Sequence, residues 1–141
     1  GLDAVPEGFS YVAVHDGARP LIKPQTIDSA ARVLMANAEI DGVVCGQPAI
    51  DTLKRVEPDG RIIDTPPRSQ FWTVQTPQIF TVAALRRAFE VADRTGFVGT
   101  DDASLVERAG GSVLCVESPR DNIKVTVPED LAVVAGALRR R

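Results

Sequence analysis

The chain has 141 residues, 16 Lys and Arg against 19 Asp and Glu, and a formal net charge of -3. With 44% hydrophobic and 25% charged residues it has ordinary globular composition, which sets aside disordered and fibrous classes and suits one domain burying roughly 68–70% of its unfolded surface. No run of about 18 apolar residues is present to span a bilayer, and the slight acidity argues against a nucleic-acid binder, whose affinity rests on clustered Lys and Arg.

In chain order, Tyr11 to Val14 is a short apolar run ending abruptly in polar residues, the mark of a buried strand feeding a loop. Pro24 stands where a helix can start, and Ile27, Ala30, Ala31, Leu34, Met35 and Ala38 recur at helical spacing. Asp41-Gly42 closes that unit and Val43, Val44 and Cys45 begin a second strand, so strand, helix and strand follow one another as in a parallel α/β protein. Residues 50–64 differ: Pro58-Asp59-Gly60 turns the chain between two strand-like runs, which predicts a hairpin. A lone hairpin buries little of itself, so it is a candidate arm packing on a partner subunit.

Phe71 to Gln75 reads as a strand that Thr76-Pro77 stops. Residues 81–94 place Val82, Leu85, Ala88, Phe89 and Ala92 on one stripe, an amphipathic helix. Thr100 or Asp101 caps the next helix, which Gly110-Gly111 ends. Val113 to Val116 and Ile123 to Val127 read as strands, and Pro128 opens a last helix with Glu129 and Asp130 in its first turn. The terminal run Arg139, Arg140 and Arg141 reads as a solvated helix end. One α/β domain over residues 1–141, with a projecting hairpin at 50–64, is the expected organisation.

Cys45 and Cys115 are too few for a disulfide scaffold and sit in Val-rich runs, where free Cys behaves as a small hydrophobe. This points to a reducing compartment, the cytoplasm or else a plastid-type organelle. His15 is the only histidine, which excludes sites needing several imidazoles, and no Cys/His spacing reads as zinc. The chain opens on Gly1 rather than Met, without a signal-peptide pattern, so a truncated or processed start is expected.

In open α/β sheets ligands bind beyond the carboxyl ends of strands, and three such ends are rich in polar groups. The first is His15-Asp16-Gly17-Ala18-Arg19-Pro20. A carboxylate there can hold a divalent metal or a sugar hydroxyl, a small residue lets backbone approach a ligand, and Arg19 can fork onto a phosphate. A turn in which Asp16 caps local amides and pairs with Arg19 explains the same residues. The second is Arg120-Asp121-Asn122-Ile123-Lys124-Val125-Thr126, where Lys124 faces away from its apolar neighbours; taken alone, a Lys projecting into solvent after an Asp121-Asn122 turn explains it better. The third is Arg68 followed by Gln75-Thr76-Pro77-Gln78, offering a hydroxyl and an amide. Asp51-Thr52-Leu53-Lys54 at the hairpin base adds another hydroxyl and cation. Asp101 and Asp102 are explained by helix capping, and Trp72 by packing in a core or interface.

Taken together, the ordered set HDGARP, DTLKR, PPR, QTPQ, TDDAS and DNIKVTVPEDL resembles the 2-C-methyl-D-erythritol 4-phosphate cytidylyltransferases of non-mevalonate isoprenoid biosynthesis, from about Tyr11 to Leu138. The resemblance implies a three-layer Rossmann-like nucleotidyltransferase fold with a mixed, mostly parallel sheet. It implies that a phosphate oxygen of methylerythritol phosphate attacks the α-phosphorus of CTP, releasing pyrophosphate with Mg2+ present. Such chemistry asks for cations and positioning rather than a covalent intermediate. On matching positions, Asp16 would hold the diol or help place the metal, and the amide beside Gly17 would lie near the nucleotide. Arg19 and Thr52 would contact the substrate phosphate, Arg68 and Lys124 would hold it for attack, and Thr76 would bind substrate through its hydroxyl. The family exchanges its hairpin arm in a homodimer, so Arg19, Thr52 and Arg68 are candidates for service in a neighbour's pocket. Neither nucleic acid nor membrane is expected as a partner.

The family also begins with a strand and a Gly-rich loop carrying Arg and Lys, which cradles the CTP triphosphate. Gly1 to Ser10 contains no such loop, so the expectation is the C-terminal part of a longer enzyme, unable alone to turn over CTP. Two other readings are a cytidylyltransferase for ribitol 5-phosphate or a related polyol phosphate, and a non-catalytic dimerisation or ligand-binding fragment.

Overall fold

The computed structural model describes residues 1–140; Arg141, and with it the end of the terminal Arg run, lies outside the described residues. Ten elements follow in order: β1 (Tyr11–Val14), α1 (Pro24–Met35), β2 (Gly42–Pro48), β3 (Arg55–Val56), β4 (Ile62–Asp64), β5 (Trp72–Thr81), α2 (Val82–Thr95), α3 (Asp102–Arg108), β6 (Val113–Glu117) and α4 (Pro128–Leu138). Single 3-10 turns stand at Leu2–Ala4 and Arg68–Gln70. Four strands form one sheet in the order β1-β5-β2-β6, and β3 and β4 form a separate ribbon.

The three-layer arrangement follows from strand alternation. Val43 and Cys45 on β2, with Ile79 on β5, pack against Ala30 and Leu34 of α1. Val44 and Phe80, one residue out of phase, pack with Leu85 and Ala88 of α2 and Ala103 and Val106 of α3. Successive side chains on a strand point to opposite faces, so β2 is buried on both, and each large side chain fully buried there contributes about 1.5–3 kcal/mol. The helix ends follow local chemistry. Thr81 Oγ1 accepts the Ala84 N–H to start α2, and Gly96 at φ 68 closes it in the left-handed region. Asp101 caps α3 in a reciprocal box with Ser104.

The sheet is mixed, as expected, but its pairing is not mostly parallel. β1, β2 and β6 share one direction, yet β5 runs between β1 and β2 and is antiparallel to both; only β2 and β6 pair in parallel. The crossover through α1 does return the chain in parallel to β1, one strand further away, because β5 fills the gap. Thr76-Pro77 does not stop a strand either. Between the pairs Val44–Gln78 and Gly46–Val74, β2 has one residue and β5 has three, so residues 75–77 form a bulge opposite Cys45. A proline needs no ladder partner inside a bulge, and β5 runs on to Thr81. The third difference is at Ile123 to Val127, which forms no strand: no neighbouring strand lies beside it, and its backbone holds on through Val125 N donating to Ala18 O at 2.8 Å.

The hairpin forms as predicted, with Gly60 at φ 86 in the turn and Arg55 paired to Asp64. All five of its strand residues are exposed, Val56, Ile62 and Ile63 among them. No helix among the described residues is long and apolar enough to cross a membrane.

Gly42 shows how tightly the sheet packs. A Cβ added there would lie 2.3 Å from Phe80 Cδ1 and 3.1 Å from Ile79 O, and Phe80 is fully enclosed. Gly42→Ala is therefore expected to cost about 1–3 kcal/mol, read as a lower urea midpoint with an unchanged m-value.

Candidate active site

Three segments meet at one end of the sheet: the turn after β1, the bulge of β5, and the loop after β6. The β1 turn closes with Arg19 N donating to Asp16 O at 3.0 Å, while Asp16 N donates to Thr76 Oγ1 on the bulge at 2.9 Å. The loop after β6 is fastened by Asn122, which is 2% exposed. Its Nδ2 donates to Gln75 Oε1 at 3.1 Å and to Thr76 O at 2.8 Å. Its backbone oxygen accepts Arg19 Nη1 at 2.8 Å. Ser118 Oγ also donates to Gln75 Oε1, at 3.0 Å. The bulge supplies the two residues that hold the other segments, a common use of bulges beside functional sites.

This stapling brings Lys124 over the β1 turn. Asp16 Oδ2 lies 3.1 Å from Lys124 Nζ and 3.4 Å from Arg19 Nε. Burial pushes the Asp16 carboxyl up, but Lys124 first and Arg19 after it outweigh that and hold it below the usual aspartate range. Two cations against one carboxylate make this wall of the pocket net positive, while Asp101 and Asp102 bring the whole lining to two cations against three acids.

The cavity here is about 300 Å³, lined by Asp16, Arg19, Gln75, Thr76, Lys124 and, opposite, Thr100, Asp101 and Asp102. Larger hollows lie along α1, beside β1, at the hairpin base and by the end of α2. The one at the hairpin base holds Lys54 and Arg55, the latter paired with Asp64, whereas this small one gathers its polar groups from separate segments. Its size matches the low end of ligand sites, room for a compact ligand.

Of the residues expected in a site, Asp16, Arg19, Thr76 and Lys124 therefore come together, with exposed Gly17 in the same turn and open space above its Cα. Arg68 and Thr52 do not line this cavity. Arg68 starts a 3-10 turn and donates through Nη1 to Ile50 O at 2.6 Å, and Thr52 is exposed at the hairpin base. Trp72 also lies outside the cavity.

Capping does not account for both acids of the α3 start. Asp101 Oδ1 accepts Ser104 N at 2.9 Å and its Oδ2 accepts Gln78 Nε2 at 2.8 Å. Asp102 is left half-buried on the cavity wall, its carboxyl pushed up by burial and then by the charge of Asp101. The signal was present in the doublet itself, since one helix has one N-cap.

Asp16 Oδ2 faces Lys124 and Arg19, so a divalent ion could join that atom only once Lys124 had turned away. No group of three or more His, Cys, Asp or Glu side chains suited to a metal occurs among the described residues.

The sequence matches the family described as IspD, 2-C-methyl-D-erythritol 4-phosphate cytidylyltransferase, over residues 1–140. A protein of that name from Synechococcus sp. (strain WH7803) is 45% identical over 141 residues, covering 100% of this chain and 62% of the relative. Another from Bacillus cereus is 47% identical over 132 residues, 94% of this chain and 57% of the relative. Among solved structures, 4-diphosphocytidyl-2C-methyl-D-erythritol synthase from Anaerococcus prevotii is similar with a TM-score of 0.86 at 28% identity, over 99% of this chain and 61% of that one. The 2-C-methyl-D-erythritol 4-phosphate cytidylyltransferase of Thermus thermophilus gives 0.79 at 39% identity, over 99% of this chain and 66% of that one. The chain thus spans 57–62% of the length of these two curated relatives.

The Asp16 ion pairs have a pH signature. A carboxyl held low contributes stability that is present above its unfolded-state value and is lost as pH falls through the lower folded-state value. In Lys124→Ala the Asp16 carboxyl, followed by carbon NMR, should titrate at higher pH than in the unmodified chain, and Asp16's share of the acid-induced loss of stability should shrink. An unmoved Asp16 midpoint would contradict the ion pair.

Proposed function

The chain belongs to the 2-C-methyl-D-erythritol 4-phosphate cytidylyltransferase family, and on that premise we propose that its Asp16–Arg19–Thr76–Lys124 pocket holds the polyol phosphate that accepts CMP from CTP. The observation that carries this is the meeting of two cations from separate segments on one carboxylate in a small polar cavity. A phosphomonoester is a dianion, and nothing but fixed positive charge and hydrogen-bond donors is needed to bind and aim it.

In the reaction so proposed, an oxygen of the acceptor phosphate forms a new bond to the α-phosphorus of CTP, and the bond from that phosphorus to the bridging oxygen of pyrophosphate breaks. Lys124, nearly half exposed, exchanges Asp16 for the incoming phosphate. Arg19, whose side chain is 11% exposed and anchored on Asn122 O, keeps its place and adds a fixed charge. Asp16, released from Lys124, accepts a hydroxyl of the polyol. Magnesium belongs in this proposal with the phosphates of the nucleotide rather than on Asp16. Arg68 and Thr52 enter from a second copy, standing at the base of the hairpin whose apolar residues lie exposed.

The direct test is calorimetric titration of 2-C-methyl-D-erythritol 4-phosphate into this chain without CTP, with ribitol 5-phosphate as the competing acceptor. Saturable binding that prefers the branched acceptor is expected, and Lys124→Ala should weaken it by about tenfold or more, the effect of losing one hydrogen bond to a charged group. Absence of binding, or binding indifferent to Lys124, would overturn the reading.

Exchange of the arm has its own test. Lys124→Ala and Arg68→Ala chains, each weak alone, are mixed and allowed to exchange subunits. If Arg68 serves the neighbour's pocket, half of the sites in each mixed dimer are intact, and about a quarter of full binding capacity returns. No recovery on mixing would show that Arg68 acts within its own subunit or not at all.

A further inference from the structure

We propose that His15 is a positioning residue for this pocket, fixing the Thr76 hydroxyl as a hydrogen-bond acceptor toward a ligand hydroxyl rather than a donor toward phosphate. Its role in ligand recognition rests on the function proposed above; its bonding stands on geometry alone. His15 Nδ1 lies 3.0 Å from Thr76 Oγ1, and His15 Nε2 lies 3.2 Å from Arg19 O. The same Thr76 oxygen accepts the Asp16 N–H at 2.9 Å.

Valence then places each proton. The Arg19 carbonyl only accepts, so Nε2 carries the hydrogen of the neutral imidazole, and Nδ1 is left with a lone pair. Thr76 has one hydroxyl proton, which goes to Nδ1. One Thr76 lone pair takes the Asp16 N–H, and what it retains for a ligand is its second lone pair. The chain of donors runs from Asp16 N through Thr76 to His15 and back to Arg19 O, closing on the residues that carry the charged pair. The phosphate of a phosphomonoester dianion has no proton to give, whereas a polyol hydroxyl does. His15 therefore divides the pocket, with Lys124 and Arg19 for the anion and Thr76 for the carbon chain's hydroxyl.

The only histidine of the chain gives a single set of imidazole nitrogen signals, so its tautomer is read directly by nitrogen NMR of the unmodified protein. The Nε2–H form is expected, and Thr76→Val should abolish its distinct Nδ1 shift. In binding, His15→Phe should weaken 2-C-methyl-D-erythritol 4-phosphate by about tenfold, the scale of one hydrogen bond lost from a polar site, while methyl phosphate at about pH 8, a dianion with no hydroxyl, changes by less than about twofold. His15→Asn, which restores an acceptor near the Nδ1 position, should recover most of that loss; His15→Gln, which reaches only toward Arg19 O, should not. An Nδ1–H tautomer, a freely exchanging mixture, or equal losses for both ligands would overturn the proposal. If the unmodified chain binds neither ligand, the functional reading and the recognition role fall together, while the tautomer still decides the His15 bridge.

Discussion

Asn122 donates its side-chain amide to Gln75 Oε1 and Thr76 O and offers its backbone oxygen to Arg19, and the site exists because these three bonds are made at once. They register the β1 turn, the β5 bulge and the loop after β6, segments that share little sequence proximity. Besides Asn122, that loop is joined to the β1 turn by the Val125–Ala18 backbone bond and to the start of α1 by the Lys23–Asp121 ion pair. A buried polar network of this kind rigidifies when its members are satisfied and is costly where they are not. Here the two buried side-chain atoms without a hydrogen-bond partner, among the described residues, are Arg19 Nε and Asn122 Oδ1. Both belong to the staple itself, and Arg19 Nε faces Asp16 Oδ2 at 3.4 Å, an ion pair rather than a hydrogen bond.

The same geometry explains why two cations of equal charge do different things. Arg19 is nearly enclosed and its Nη1 is committed to Asn122 O, so moving it would unfasten the loop. Lys124 is tethered through a flexible four-carbon stem and remains close to half exposed, so turning its amine from a carboxylate to another anion costs little. In the proposed function Asp16 keeps that amine in place until the acceptor phosphate arrives, and its own charge is secured by the cations it holds. Preorganised charge of this sort needs no rearrangement of the fold when a ligand enters.

What could be read from the sequence was whatever local chemistry decides. The amphipathic stripe of α2, the cap of α3 and the Pro-Asp-Gly turn all formed where expected, because each depends on residues within one or two turns. Strand order did not follow in the same way: nothing in residues 72–81 says that they insert between β1 and β2, since that choice is made by long-range pairing. Pro77 was misread for a related reason, because whether a proline ends a strand depends on the partner strand having a residue to spare. Ile123-Lys124-Val125 alternates like a strand but has no edge to pair with. Asp16, Arg19, Thr76 and Lys124 were legible as a set through the family resemblance, while each alone had an ordinary turn or surface explanation. Asp102 was hidden behind Asp101, since either acid of the pair satisfies a capping rule until coordinates show which one does.

The hairpin sharpens the argument about assembly. Val56, Ile62 and Ile63 are exposed on a two-stranded ribbon, and such a ribbon has too little buried area to be stable by itself. Its base is nevertheless ordered: Arg68 is fixed on Ile50 O, Lys54 donates to Thr65, and Arg55 pairs with Asp64. Hydrogen bonds and an ion pair this exposed contribute little to stability, so these contacts orient the arm more than they stabilise it. An arm oriented by its base, with apolar side chains uncovered, places its cation at a set distance from its own sheet and outside its own pocket. In the proposed homodimer that placement becomes useful: the arm gains its missing burial from the second copy, and the charge that this pocket lacks arrives with the surface that makes the dimer stable.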